Sequence, residues 1–168
     1  MIITDRPGRF ISGLKKEDFQ LREDGQPQDI DEFSDERSPF NVALLIDLSL
    51  STRNKLEDIK RTAIDFVKQL QPRDKVLIVA FDEKVRFIND FTGDQKELEA
   101  SIKKLKTGYL TSIYDAIAQT IQEKFSKTPG RKAMVVLSDG VDTGSKKANY
   151  DSVLEMITRT GIVLFRAL

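Results

Sequence analysis

Asp47, Ser49 and Ser51 stand at alternate positions in LLIDLSLS, residues 44–51, where an apolar run gives way to a polar loop. One carboxylate and two hydroxyls so spaced put three oxygen ligands on one short loop. Hard divalent cations such as Mg²⁺ take oxygen ligands, so the segment could be half of a metal site. It could equally be a strand-to-helix turn in which Ser51 or Thr52 caps the following helix. Two further clusters bear on the choice: Thr111-Ser112 in LTSIYDAI, and Ser138-Asp139-Gly140 in LSDG. Gly140 lets the chain turn sharply after Asp139 and approach closely.

Composition removes several alternatives. The chain has no Cys, so no disulfide framework, zinc-thiolate site or thiol nucleophile is available. It has no His, which excludes a Ser-His-Asp triad and most transition-metal sites. Lys plus Arg and Asp plus Glu number 27 each, so net charge gives no push toward nucleic acid or an anionic membrane. The basic pairs Lys15-Lys16, Lys103-Lys104, Arg131-Lys132 and Lys146-Lys147 are dispersed among acidic residues and read as solvated surface. No apolar run approaches the roughly 20 residues needed to span a bilayer, so direct membrane insertion is not expected. The opening MIITDRPGRF carries no signal-peptide core.

The elements that must position the clusters follow from hydrophobic patterning. Val42–Asp47, Lys75–Phe81, Ala133–Ser138 and Ile162–Leu168 are near-continuous apolar runs, the mark of parallel strands covered on both faces. Leu56, Ile59, Ala63, Phe66, Val67 and Leu70 recur at helical spacing. So do Leu98, Ile102 and Leu105; Ile113, Ile117, Ile121 and Phe125; and Val153, Met156 and Ile157. Asp94 with Glu97, and Ser112 with Asp115, have the spacing of capping boxes. Val85–Phe91 follows its strand after only three residues, too few for a parallel crossover, so an antiparallel edge strand is expected. These features predict a three-layer, Rossmann-like α/β domain over 39–168 with a mostly parallel sheet.

Residues 1–38 differ in character. Asp24-Gly25 between short extended runs predicts a hairpin, roughly Phe19–Glu23 against Gln28–Phe33. A lone hairpin is marginal, so this β appendage is expected to dock on the larger domain. Ser34–Pro39 is polar, ends in Pro and suits a linker.

In open α/β sheets ligands sit beyond the carboxyl ends of the strands, which is where the three polar clusters fall. With those motifs in place, the stretch from about Phe40 to Leu168 resembles a von Willebrand factor type A domain carrying a metal-ion-dependent adhesion site (MIDAS). Its DxSxS motif is met at Asp47, Ser49 and Ser51, its threonine at Thr111 and its second aspartate at Asp139. The segment TDRPGRFISGLKKEDFQLREDGQPQDIDEF is similar to the β segment that precedes this domain in a bacterial, acidobacterial-type subfamily. Relative to the family, the 39–168 domain is short at its C-terminal end.

The resemblance implies that Ser49 and Ser51 bind a divalent cation directly, with Thr111, Asp47 and Asp139 binding directly or through water. Mg²⁺ is the first candidate, with Mn²⁺ or Ca²⁺ as alternatives. Hydroxyl-rich ligation leaves the cation's charge under-compensated, so it attracts a further carboxylate, which in the family comes from a partner's Asp or Glu. The expected function is non-catalytic, cation-dependent protein binding, as in adhesion or assembly. The resemblance favours an extracytoplasmic address, periplasmic or secreted, and leaves the oligomeric state open. A Mg²⁺-dependent hydrolase or phosphotransferase is the rival. Against it, no second Asp stands two positions after Asp47, and no GxxxxGK[ST] phosphate loop is present. A third reading is a scaffold that works without metal. Ser112 is expected to cap rather than ligate, Asp142 to be a solvated loop or rim residue, Tyr114-Asp115 to pack and cap, and Asp82 to form a turn.

Overall fold

The computed structural model describes residues 7, 11, 13–30, 33 and 39–167. These fall into two compact units, Met1–Ser38 and Pro39–Leu168. The linker expected over Ser34–Pro39 lies outside the described residues apart from Pro39, as does the opening MIITDRPGRF apart from Pro7.

In the first unit, β1 (Leu21–Glu23) pairs antiparallel with β2 (Gln26–Gln28), Glu23 facing Gln26. Asp24 and Gly25 form the two-residue loop with φ of 49° and 80°, the two positive angles that a twist-matched hairpin turn requires. The hairpin is shorter than expected. Its return strand begins directly after Gly25 and ends at Gln28, because the tight loop brings Gln26 level with Glu23. Both strands are exposed, and the rings of Phe19 and Phe33 pack 5.1 Å apart.

In the second unit the chain runs β3 (Phe40–Asp47), α1 (Leu56–Gln69), β4 (Lys75–Phe81), β5 (Val85–Phe87), α2 (Gln95–Lys103), α3 (Ile113–Gln119), β6 (Arg131–Leu137), α4 (Tyr150–Thr160) and β7 (Val163–Ala167). The strands form one sheet in the order β5-β4-β3-β6-β7, parallel except for β5. The apolar runs alternate between two buried layers. Val42, Leu44 and Ile46 of β3 meet Ile59, Ala63 and Val67 of α1 and Leu98 and Ile102 of α2. Ala43 and Leu45 meet Ala116 and Ile117 of α3 and Val153 of α4. Removing a side chain such as Leu44 or Leu45, both fully buried, should cost about 2–5 kcal/mol through lost burial and the cavity left behind.

Three local departures from the sequence pattern have clear causes. The antiparallel strand ends at Phe87, because Asn89 then takes over the ladder with its side chain, accepting from Ile78 N and donating to Val76 O. The helix beginning at Ile113 widens into a π turn at Thr120–Lys124 and tightens to 3₁₀ at Phe125–Lys127. There, Thr120, Ser126 and Thr128 hydroxyls each donate to the carbonyl four residues back. Finally, β7 pairs in parallel with β6 but is not covered on both faces: Val163 is 48% and Phe165 56% exposed. It is the sheet's edge, and the α1/α2 layer packs on β3, β4 and β6 without reaching it.

Candidate metal centre

From β3 the chain passes to β4 on one side and later returns to β6 on the other, so strand order reverses at β3. Ligands in such sheets bind beyond the carboxyl ends at this reversal, and Asp47 closes β3 there, fully buried. Its Oδ1 accepts from Ser49 N at 2.9 Å and its Oδ2 from Ser138 Oγ at 2.5 Å. These bonds fix the carboxylate's orientation.

The loop that follows does not use its serines as helix caps. A 3₁₀ turn, Leu50–Lys55, leads into α1, whose N-cap is Lys55, and neither N-cap side chain makes a capping bond. Thr52 ties the turn instead, donating its hydroxyl to the carbonyls of Asp47 and Ser49. The hydroxyls of Ser49 and Ser51 meet at 2.9 Å.

Thr111 reaches the same place from the loop before α3. That loop is laced to the first: Gly108 N donates to Leu48 O and Leu50 N to Tyr109 O. It is also held by Asp82, whose carbonyl accepts from Ser112 N. Asp82 is more than a turn former. Both its oxygens grip the Arg86 guanidinium, at 2.9 and 2.6 Å, and Oδ1 also accepts from Lys84 N. Burial pushes its carboxyl up, but the guanidinium and the amide outweigh burial and hold it below the ordinary aspartate range. Gly108 passes so close that an added Cβ would lie 2.1 Å from Asp82 Oδ2.

The third segment follows β6. Ser138 is fully buried, donates to Asp47 and accepts from Gly140 N. Asp139 Oδ2 receives the Lys55 ammonium at 2.8 Å, while its Oδ1 is buried with no hydrogen-bond partner. Gly140 leaves room for a Cβ only in contact with polar oxygens. A Cβ there would lie 3.4 Å from Ser51 Oγ, 3.4 Å from Thr111 Oγ1 and 3.5 Å from Asp47 Oδ2. Oxygens from two separated segments thus meet at a point on the third, at Gly140, the residue after Asp139. Among the described residues no three carboxylates gather. A cation here would be held by hydroxyls with at most two carboxylates, Asp47 and Asp139. That donor set suits a hard divalent ion.

The expected capping box at Ser112 and Asp115 does not form. Ser112 Oγ is buried without a partner, and Asp115 instead accepts from the backbone N–H groups of Lys146, Lys147 and Ala148. Burial raises the Asp115 carboxyl, and these three donors outweigh it and hold the group low. Asp142 is a fastener rather than a free rim residue: it accepts from Ser145 Oγ and N and from Tyr114 N. Asp94 caps α2 as expected, through the Lys96 and Glu97 amides, without a reciprocal bond from Glu97. Sequence reasoning missed Ser138 and Lys55. The first was visible as a polar residue ending an apolar strand in LSDG; the pairing of the second had no local signal.

The reversal in strand order and the two helical layers define a doubly wound α/β domain, with an oxygen-rich cluster at the strand ends. Residues 42–141 match the von Willebrand factor type A domain model, and the chain belongs to that family. Solved structures share the fold at low identity. The vWF domain of the type V pili tip protein Mfa5 from Porphyromonas gingivalis is 21% identical, with a TM-score of 0.58 over 68% of this chain and 43% of that one. A von Willebrand factor type A protein from Catenulispora acidiphila is 17% identical, with a TM-score of 0.64 over 76% and 33%. Proximal thread matrix protein 1 of the mussel byssus, solved with a zinc-occupied MIDAS motif, is 17% identical, with a TM-score of 0.65 over 76% and 35%. An uncharacterized Synechocystis protein is 27% identical over 110 residues, 63% of this chain and only 26% of that protein. The chain therefore spans less than half the length of each.

Proposed function

We propose that the Pro39–Leu168 unit is a non-catalytic, cation-dependent protein-binding module. Asp47, Ser49, Ser51, Thr111 and Asp139 hold a divalent cation, Mg²⁺ first, and a partner's Asp or Glu completes its coordination. The observation that supports this reading is the convergence of Ser51, Thr111 and Asp47 oxygens around the point where a Cβ on Gly140 would lie, next in sequence to Asp139, whose Oδ1 is buried and unpartnered. A bound cation supplies a positive centre for an anionic oxygen. The chain's own residues supply a rigid oxygen cradle: Ser138 orients Asp47, Thr52 ties the serine loop, and the Thr111 carbonyl accepts from Thr143 N and Gly144 N.

The rim favours a partner over a small substrate. Leu50, Tyr109, Leu110 and Val141 flank the candidate ligands in sequence and are exposed, Tyr109 at 70% and Val141 at 81%. Exposed apolar side chains around a carboxylate-seeking centre fit an acidic residue presented on an apolar loop. The zinc-occupied MIDAS of the mussel protein and the pilus-tip context of Mfa5 accord with an assembly role outside the cytoplasm. A phosphoryl-transfer reading has less support, since Asp139 is engaged by Lys55 and no third carboxylate adjoins the pocket among the described residues.

Calorimetric titration with Mg²⁺ and Mn²⁺ tests the reading. One ion should bind the wild-type chain, with binding lost in Ser51→Ala and in Asp139→Ala, both of which leave Asp47 and its buried partners in place. Equal binding by all three proteins would refute it. A partner interaction unchanged by EDTA would favour the metal-free scaffold.

A further inference from the structure

We propose that Lys55 is a built-in counter-cation. Its ammonium sets how loosely the pocket holds a divalent ion, and so how strongly that ion draws a partner's carboxylate. The proposal rests on the metal-site reading above and concerns a residue that lies outside the DxSxS, threonine and aspartate set.

The placement is fixed by local structure. The 3₁₀ turn Leu50–Lys55 begins directly after Ser49, and α1 begins at the next residue, Leu56, so the backbone of Lys55 is held at the junction of two helical segments. From there its Nζ lies 2.8 Å from Asp139 Oδ2, across 84 positions of sequence. Among the described residues Asp139 is its partner. The carboxylate is thereby divided: one oxygen faces the ammonium, and the other is buried and unpaired.

Stability does not account for the arrangement. The Lys55 side chain is 56% exposed, and an ion pair so open to water adds little to folding. Its charge matters more to a doubly charged ion one carboxylate away. Asp47 and Asp139 bring two negative charges and Lys55 removes one, leaving a single net negative charge to face the cation. The ion is then held less tightly and retains more attraction for an incoming carboxylate. A neutral residue at position 55 would reverse both effects.

The test uses Mn²⁺ alone and then acetate, with the full chain as wild type, Lys55→Gln, Lys55→Arg and Ser51→Ala. Calorimetry should show Lys55→Gln binding Mn²⁺ about tenfold more tightly, the scale of a single charge acting on a divalent ion a few ångströms away through a watery gap. Lys55→Arg, which keeps the charge, should match wild type. Water-proton relaxation of the Mn²⁺-loaded proteins should show acetate displacing bound water at higher concentration in Lys55→Gln than in wild type. Unchanged Mn²⁺ affinity in Lys55→Gln, tightening in Lys55→Arg as well, or an unmoved acetate midpoint would overturn the proposal. Wild type binding Mn²⁺ no better than Ser51→Ala would overturn the metal reading itself, and the proposal with it. Thermal melts of Lys55→Gln and wild type should coincide.

Discussion

Gly140→Ala separates the pocket's function from its fold. Gly140 is not among the glycines with positive φ, so its backbone accepts a side chain without strain. Alanine at such a site gains about 0.4–1 kcal/mol by restricting the unfolded chain. The new methyl would meet Ser51 Oγ and Thr111 Oγ1 at 3.4 Å and Asp47 Oδ2 at 3.5 Å, close but ordinary contacts. The two effects roughly offset, and stability should change by less than about 1 kcal/mol. Binding should respond quite differently. A carbon in contact with three of the five candidate ligands leaves no room there for a hydrated ion, since Mg²⁺ sits about 2.1 Å from its oxygens and keeps several waters. Cation affinity should fall at least about tenfold, equivalent to 1.4 kcal/mol or more. Calorimetry with Mn²⁺ alongside urea unfolding reads both quantities on one preparation. A variant that binds Mn²⁺ as wild type does would refute the placement of the site beside Gly140. A loss of several kcal/mol in stability would refute the claim that these contacts are ordinary ones.

Other perturbations follow from the same geometry. Gly108→Ala should destabilise by about 2–3 kcal/mol, because the methyl would strike an Asp82 carboxylate pinned by Arg86; urea unfolding measures it. Ser138→Ala removes a buried hydroxyl bonded to the buried Asp47 side chain and should cost about 2 kcal/mol while weakening Mn²⁺ binding. Asp115 and Asp82 both have lowered carboxyl pKa values, so the stability they contribute is present above the ordinary aspartate pKa and is lost as pH falls through the lower, folded-state values. Thermal melts between pH 7 and pH 3 should therefore fall less steeply in Asp115→Asn than in wild type, from a lower starting point, since asparagine cannot serve all three amides equally.

Much of the sheet was legible because burial on both faces writes itself as unbroken apolar runs, as in VALLID and KVLIVAF. The antiparallel β5 was legible from the shortness of Asp82-Glu83-Lys84. Its early end was not, because Asn89 completes the ladder with a side chain, an option that strand patterning does not encode. The exposure of β7 was hidden for a related reason: Ile162–Leu168 reads as a core strand, and only the reach of α1 and α2 decides which strands they cover. At the site, the spacing of Asp47, Ser49 and Ser51 marked a polar strand end. Ser138 meeting Asp47 across 91 positions, and Lys55 meeting Asp139, depend on two strand ends becoming neighbours. Ser112 and Asp115 had the spacing of a capping box, yet a loop 31 to 33 residues away offered Asp115 three stronger donors.

The central position of β3 also has a mechanical consequence. The chain enters that strand at Phe40, and the proposed metal site lies at its other end, beyond Asp47. A tensile force between a partner seated in the pocket and the amino end of the strand would run along its axis. β3 is registered residue by residue with β4 from Asn41 to Asp47, and with β6 from Phe40 to Ile46. Its ladders would be loaded in shear, many hydrogen bonds at once, whereas the three-residue β5 pairing would yield in succession if peeled from the edge.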